Sequence, residues 1–146
     1  MPERDLIAEA RERRQPLHDA ADALELVAAG PVGAGSIWQD RIRDMLATVA
    51  TALADHIEKT EGPDGLYREL TTVAPRISND IRLLTADHAV IKGMIEEIEI
   101  ALDAEDVESG LVREHITQLL GRITRHRQKG ADIVYEAYQV DIGGQA

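Results

Sequence analysis

NDIRLLTADHAVIKGMIEEIEIAL, residues 79–102, decides the architecture. Its large aliphatic residues Ile81, Leu84, Ile91, Ile95, Ile98 and Leu102 recur in steps of three, seven, four, three and four. An α-helix turns once every ~3.6 residues, so these side chains form one continuous apolar face. The step of seven passes over position 88, where a histidine stands. A titratable, metal-competent side chain is thus set into a seam of aliphatics. His88 is either a core histidine satisfied by a local partner or one member of a set that other segments complete.

Working outward, three more segments share this pattern. Ser36, three residues before Gln39, reads as a capping box for a helix carrying Trp38, Ile42, Met45, Val49 and Leu53, and the next helical step lands on His56. Residues 61–65 break that helix, and Leu66-Tyr67 opens a connector that runs to Pro75. Ser78 or Asn79 is expected to cap the helix at 79–102. Nearer the N-terminus, Leu17, His18, Ala21, Leu24 and Ala28 describe a helix starting near Pro16 and ending at Gly30-Pro31. Residues 3–14, with Leu6, Ile7 and Ala10 on one side, read as a separate short helix, because a proline removes a helical N–H and crowds the preceding turn. After a turn over residues 103–110, the last helix carries Val112, Leu119, Ile123, Ile133 and Ala137, with His126 on the same stripe.

The expected fold is therefore all-α: an antiparallel up-down four-helix bundle made of two helical hairpins in pseudo-twofold repeat, with a short N-terminal helical arm. The expected organisation is the arm over residues 1–15, the bundle over 16–140 and a flexible tail over 141–146. Composition agrees. Hydrophobic residues make up 44% of the 146 positions but aromatics only 3%, with no Phe, which suits helices packed on helices better than a sheet-based core. The net charge of −11 argues against binding nucleic acid through its phosphates. There is no cysteine, so disulfides and thiolate chemistry are excluded. No apolar run is long enough to span a membrane and the first residues lack a signal-peptide pattern, so a cytoplasmic protein is expected.

Each of the four long helices places one histidine on its apolar stripe: His18, His56, His88 and His126. The spacing is 38 residues within each half, and the halves are offset by 70. In antiparallel hairpins these positions fall at similar heights, so four imidazoles are expected in one layer of the core. Packed together without a cation, they would leave ring nitrogens unpaired, at about 1–3 kcal/mol for each buried unsatisfied group. A metal site removes that cost, and imidazoles with carboxylates suit iron or zinc. His115, eleven residues before His126, lies about 16 Å further along the helix and is expected to be structural or exposed.

Carboxylates would neutralise such a site and could bridge two ions. Glu61, five residues after His56, and Asp132, six after His126, are the expected ligands, with a local distortion of each helix bringing them round. Asp22 and Glu136 are weaker candidates. No nucleophile–base arrangement or phosphate-binding loop stands out.

The ordered set His18, then His56 with Glu61, then His88, then His126, resembles the hemerythrin-like, or HHE cation-binding, domains. Leu66-Tyr67-Arg68-Glu69-Leu70 and Val134-Tyr135 resemble the leucine-aromatic segments that follow the ligands in that family. The resemblance covers roughly residues 16–138. Departures are specific: Thr60 and Gly130 stand where the family places its two acids, and Lys92 stands where the oxygen carriers have a further histidine. Tyr67, Tyr135 or Tyr138 could fill a vacant position. The resemblance implies a non-haem centre, with two irons per chain, acting on or sensing O2, NO or peroxide, or handling iron. Two alternatives stand beside it: a mononuclear zinc or iron site with a structural or regulatory role, and a metal-free bundle that binds a protein partner.

Overall fold

A computed structural model describes residues 6–140. Four long helices, α1 (Leu6–Ala29), α2 (Ile37–Glu61), α4 (Ser78–Leu102) and α5 (Ser109–Tyr135), form the bundle. A short helix, α3 (Leu66–Val73), and a 3-10 turn (Pro75–Ile77) link α2 to α4, and a π-helical turn (Glu136–Val140) follows α5. α1 packs on α2 and α5, and α4 packs on α5 and α2, so the helices close a ring with each hairpin along one side. This is the four-helix bundle the stripes require. No described helix is long and apolar enough to cross a membrane.

The break expected at Pro16 does not occur. α1 runs through the proline without interruption, so the arm and the first bundle helix share one element. Pro16 and Glu12 both face solvent, so water can satisfy the carbonyl that loses its donor. Buried Ala10 before the proline and Leu17, Ala21, Leu24 and Ala28 after it remain on one side of the helix, and their packing offsets the local cost. The expected tail at 141–146 and the first five residues lie outside the described residues. The expected caps also differ. Ser36 Oγ donates to the Asp40 carboxylate at 3.3 Å, and Ser78 Oγ to the Pro75 carbonyl at 2.7 Å, so neither caps its helix.

The core has two apolar parts. The larger contains Leu17, Leu24, Ile42, Leu53, Ile91, Ile98, Leu119 and Ile123. The smaller gathers Leu66, Tyr67, Leu70, Ile77, Leu84, Ile133 and Val134 around α3. Along α4 the switch from one to the other falls between Leu84 and Ile91, and along α5 between Ile123 and Ile133. Those intervals contain His88 and His126. At the far end, Arg113 donates to the carbonyls of Ala28 and Gly30 while its guanidinium lies over Trp38, and Arg43 donates to the Leu102 carbonyl at 2.6 Å. Neither α1 nor α4 has a basic residue in its last turn, so neighbouring helices supply the donors their terminal carbonyls need.

The α2–α3 turn admits no side chain at Gly65. A Cβ there would lie 2.6 Å from the Thr60 carbonyl oxygen and 2.9 Å from the Gly62 oxygen. Both are backbone atoms that cannot rotate away, so Gly65→Ala is expected to destabilise the fold by about 1–3 kcal/mol. Gly93 in α4 has open space around its Cβ position, and Gly93→Ala is expected to stabilise by up to ~1 kcal/mol. Thermal melting of the two variants should move in opposite directions.

Candidate metal centre

Three of the four stripe histidines converge. His56 on α2, His88 on α4 and His126 on α5 are 7%, 2% and 4% exposed, and each offers a ligand nitrogen within 4.8 Å of the other two. The helical period puts each among buried residues of its own helix: Leu53 and Thr60 beside His56, Leu84 and Ile91 beside His88, Leu119 and Ile123 beside His126. The rings sit edge to face or tilted, with centroids 4.7–5.6 Å apart.

Carboxylates fix the outer nitrogens of two rings. His88 Nδ1 lies 2.7 Å from Glu61 Oε2, and His126 Nδ1 lies 2.8 Å from Asp87 Oδ2. Asp87 also accepts from Arg122 Nε at 2.5 Å, which anchors the carboxylate across the α4–α5 interface. An ionised carboxylate only accepts, so each Nδ1 must carry the proton. In the neutral rings the Nε2 atoms then present lone pairs, and these face each other at 3.1 Å. Tyr67, stacked on His88 at a centroid distance of 5.9 Å, places its hydroxyl 3.3 Å from His88 Nε2. Among the described residues neither ring nitrogen of His56 has a well-formed hydrogen bond, the Arg13 backbone being its nearest polar influence. Its backbone is held by Thr60, whose hydroxyl donates to the His56 carbonyl at 2.8 Å.

The electrostatics favour the neutral form of His56 and His126. Burial, then the neighbouring His88 and His126, push His56 down to about 3. Burial and His88 also lower His126, with Asp87 acting in the opposite direction. The Tyr67 hydroxyl is raised, by burial first, so it remains a phenol. A consequence follows for the metal-free protein. The folded state resists protonating His56 whereas the unfolded chain accepts the proton below its ordinary value of 6.5, so stability is full above about pH 6.5 and drains as pH falls towards 3. Chemical denaturation of chelator-treated protein between pH 8 and 4 should show this decline, and His56→Gln should lessen it, the remainder coming from His126. A pH-independent midpoint would refute the assignment.

The donor set fits a cation. Imidazole nitrogen suits zinc, iron, copper and nickel, and two nitrogens bound to one tetrahedral zinc lie about 3.3 Å apart, close to the 3.1 Å between His88 and His126. The carboxylate–histidine arrangement at both Nδ1 atoms is the one that orients and strengthens imidazole ligands.

The other expected ligands stand apart. His18 is 31% exposed at its side chain; Arg127 Nη1 lies 2.9 and 3.0 Å from its ring nitrogens, and Asp22 lies at 3.4 Å. Its neighbours one and two turns away, Arg11, Asp22 and Glu25, are exposed, which puts it on the edge of the α1 stripe. Glu61 reaches the site only through the outer nitrogen of His88. Asp132 is exposed and accepts from Gln128 at 2.9 Å. Glu136 pairs with Arg76 at 2.7 Å, Tyr135 is exposed, and Tyr138 packs at the edge of the smaller core. His115 is partly exposed near Glu97. Asp87 and Arg122 were not legible as site residues. Asp87 reads as a solvated neighbour of His88, and its partner lies on another helix.

Comparison with protein-family models, curated proteins and solved structures returned no match.

Proposed function

We propose that this protein binds one metal ion on His56, His88 and His126. The observation that carries this reading is the pair of inward Nε2 atoms 3.1 Å apart, each on a ring whose Nδ1 is committed to a carboxylate. Without a cation the Nε2 lone pairs of His88 and His126 face each other, and neither His56 nitrogen has a well-formed hydrogen bond among the described residues. The three ligand nitrogens lie within 4.8 Å of one another, so His56, His88 and His126 are the residues that would hold the ion. The ion would supply Lewis-acid chemistry if zinc, or redox chemistry towards O2, NO or peroxide if iron. The chain's own residues orient the imidazoles, hold their protons outward and exclude bulk water.

The hemerythrin-like resemblance supports a second reading, a di-iron centre, and one placement favours it: His18 lines the same cavity as His56 and His126. Against it, both nearby carboxylates are engaged at histidine Nδ1 atoms, and Thr60 and Gly130 offer no bridging oxygen pair. Metal analysis of the protein as isolated separates the readings. One ion per chain, unchanged in His18→Ala, is expected. Two irons per chain with a near-ultraviolet oxo-to-iron band would restore the di-iron reading. Neither metal as isolated nor uptake on reconstitution would leave the metal-free bundle.

A further inference from the structure

One polar side chain at the centre plays no part in the three-histidine reading. Tyr67, the second residue of α3, is 8% exposed, and its ring lies nearly parallel to that of His88, at an interplanar angle of 13°. Its hydroxyl is 3.3 Å from His88 Nε2, the nitrogen that faces His126 and not the one that bonds Glu61. Tyr67 also lines the cavity that His56 and His126 line, so it borders all three histidines. Local packing fixes it there. Leu66 and Leu70 on either side are buried in one cluster with Ile77, Ile81 and Leu84, and the tight turn at Gly65 sets where α3 begins.

In the metal-free protein the phenol donates to the lone pair of His88 Nε2, because Nδ1 of that ring carries the proton. That is the hydrogen bond of an ordinary core tyrosine. A metal ion takes the same lone pair. The O–H then loses its acceptor inside the core, where an unmet donor is costly. Its oxygen already stands where a ligand would. Two donors of one tetrahedral zinc lie about 3.3 Å apart. Tyr67 Oη stands 3.3 Å from His88 Nε2, and His126 Nε2 stands 3.1 Å from the same atom. Charge points the same way. Glu61 and Asp87 bring two negative charges to the backs of the rings and Arg122 returns one positive, so a divalent ion leaves one positive charge in a buried site. Neutral imidazoles cannot cancel it, whereas one phenolate does.

We propose that Tyr67 is the fourth ligand of the centre, its phenolate oxygen binding the ion held by His56, His88 and His126. This rests on the metal-binding reading. Ligation forms one metal–oxygen bond and breaks the O–H bond; the proton passes to solvent, and no electron is transferred. Burial holds the proton on the metal-free phenol, so phenolate at this position reports the bound ion. A tetrahedral zinc ion is then closed by four protein ligands, as in structural sites.

The test is ultraviolet difference spectroscopy as zinc is added to the chelator-stripped chain, with bound zinc counted on the same samples. Phenolate absorption is expected to rise in step with the metal and to stop at one phenolate and one zinc per chain. Ferric iron, added in parallel, should give a visible phenolate-to-iron charge-transfer band. Tyr67→Phe keeps the ring and removes only the hydroxyl. It should lose both signals and bind zinc more weakly by at least about tenfold, the loss that even a partner behind a ligand costs. Tyr135→Phe, at an exposed tyrosine outside the site, should behave as wild type. Circular dichroism confirms that each variant is folded. One metal per chain bound without a phenolate signal overturns Tyr67 as a ligand and leaves the three-histidine reading standing. So does a phenolate signal of wild-type size in Tyr67→Phe. Protein that takes up neither metal overturns the metal reading first, and the fourth ligand with it.

Discussion

Removing the metal is expected to lower the melting temperature of the wild-type protein by about 10 °C and to leave a His126→Ala variant unaffected. The size follows from linkage. An ion present at a thousand times its dissociation constant stabilises the native state by about 4 kcal/mol, and in a chain of this length each kcal/mol moves the midpoint by roughly 2–4 °C. The structural cause is specific. His126 is 4% exposed, points its Nε2 at that of His88 and holds its Nδ1 against Asp87, so its removal would take away one of the three proposed histidine ligands and leave two to hold the ion. The variant should melt where chelated wild type melts, or somewhat lower, because deleting the ring also opens a void in the core. Differential scanning calorimetry with and without chelator reads the effect. Wild type with verified metal content that melts at one temperature under both conditions would sink the proposed centre.

The second large effect is expected at Asp87, which holds the outer nitrogen of a proposed ligand. Asp87→Ala should weaken metal retention 10- to 100-fold, the usual consequence of removing the acceptor behind a histidine ligand. Asp87 receives His126 Nδ1 and, on its other side, the guanidinium of Arg122. Without it the His126 ring is free to change tautomer and rotamer, and Arg122 loses its partner. Glu61→Ala repeats the experiment at His88, with a smaller loss of stability, because Glu61 lies on the more exposed side and has no arginine partner among the described residues. Competition against a chelator of known affinity measures both. Affinity unchanged in Asp87→Ala would mean that the carboxylate belongs to the ion pair with Arg122 alone.

Much of this architecture was legible in the residues themselves. The stripes on residues 37–61, 78–102 and 109–135 appear as helices in the structure, and the histidine on each is buried where the seam required it. His18 is the instructive failure. The 70-residue offset aligns it with His88, but the same offset aligns Arg14 with Leu84 and Glu25 with Ile95, so the two stripes are not in the same phase. The buried face of α1 runs through Leu17, Ala21, Leu24 and Ala28, one position away from the histidine, and about 100° of helical rotation carries His18 to the edge. Asp22 and Glu25, one and two turns along, already carried that signal. Pro16 misled for a different reason: a proline is costly within a helix, yet the packing on both sides of it exceeds the local penalty.

By itself the sequence determined what period and composition control: helices rather than strands, four apolar stripes, and a histidine on or beside each. These depend on residues three and four apart, which a helix places together whatever surrounds it. The tertiary structure alone decided how the helices are rotated against one another. That rotation turned three imidazoles inward and left the fourth partly exposed. It also brought Asp87 from α4 to the back of His126 on α5 and Glu61 from α2 to the back of His88. Contacts between side chains 27 or 39 residues apart leave no periodic trace. They follow from which faces pack together, and packing of the whole bundle settles that.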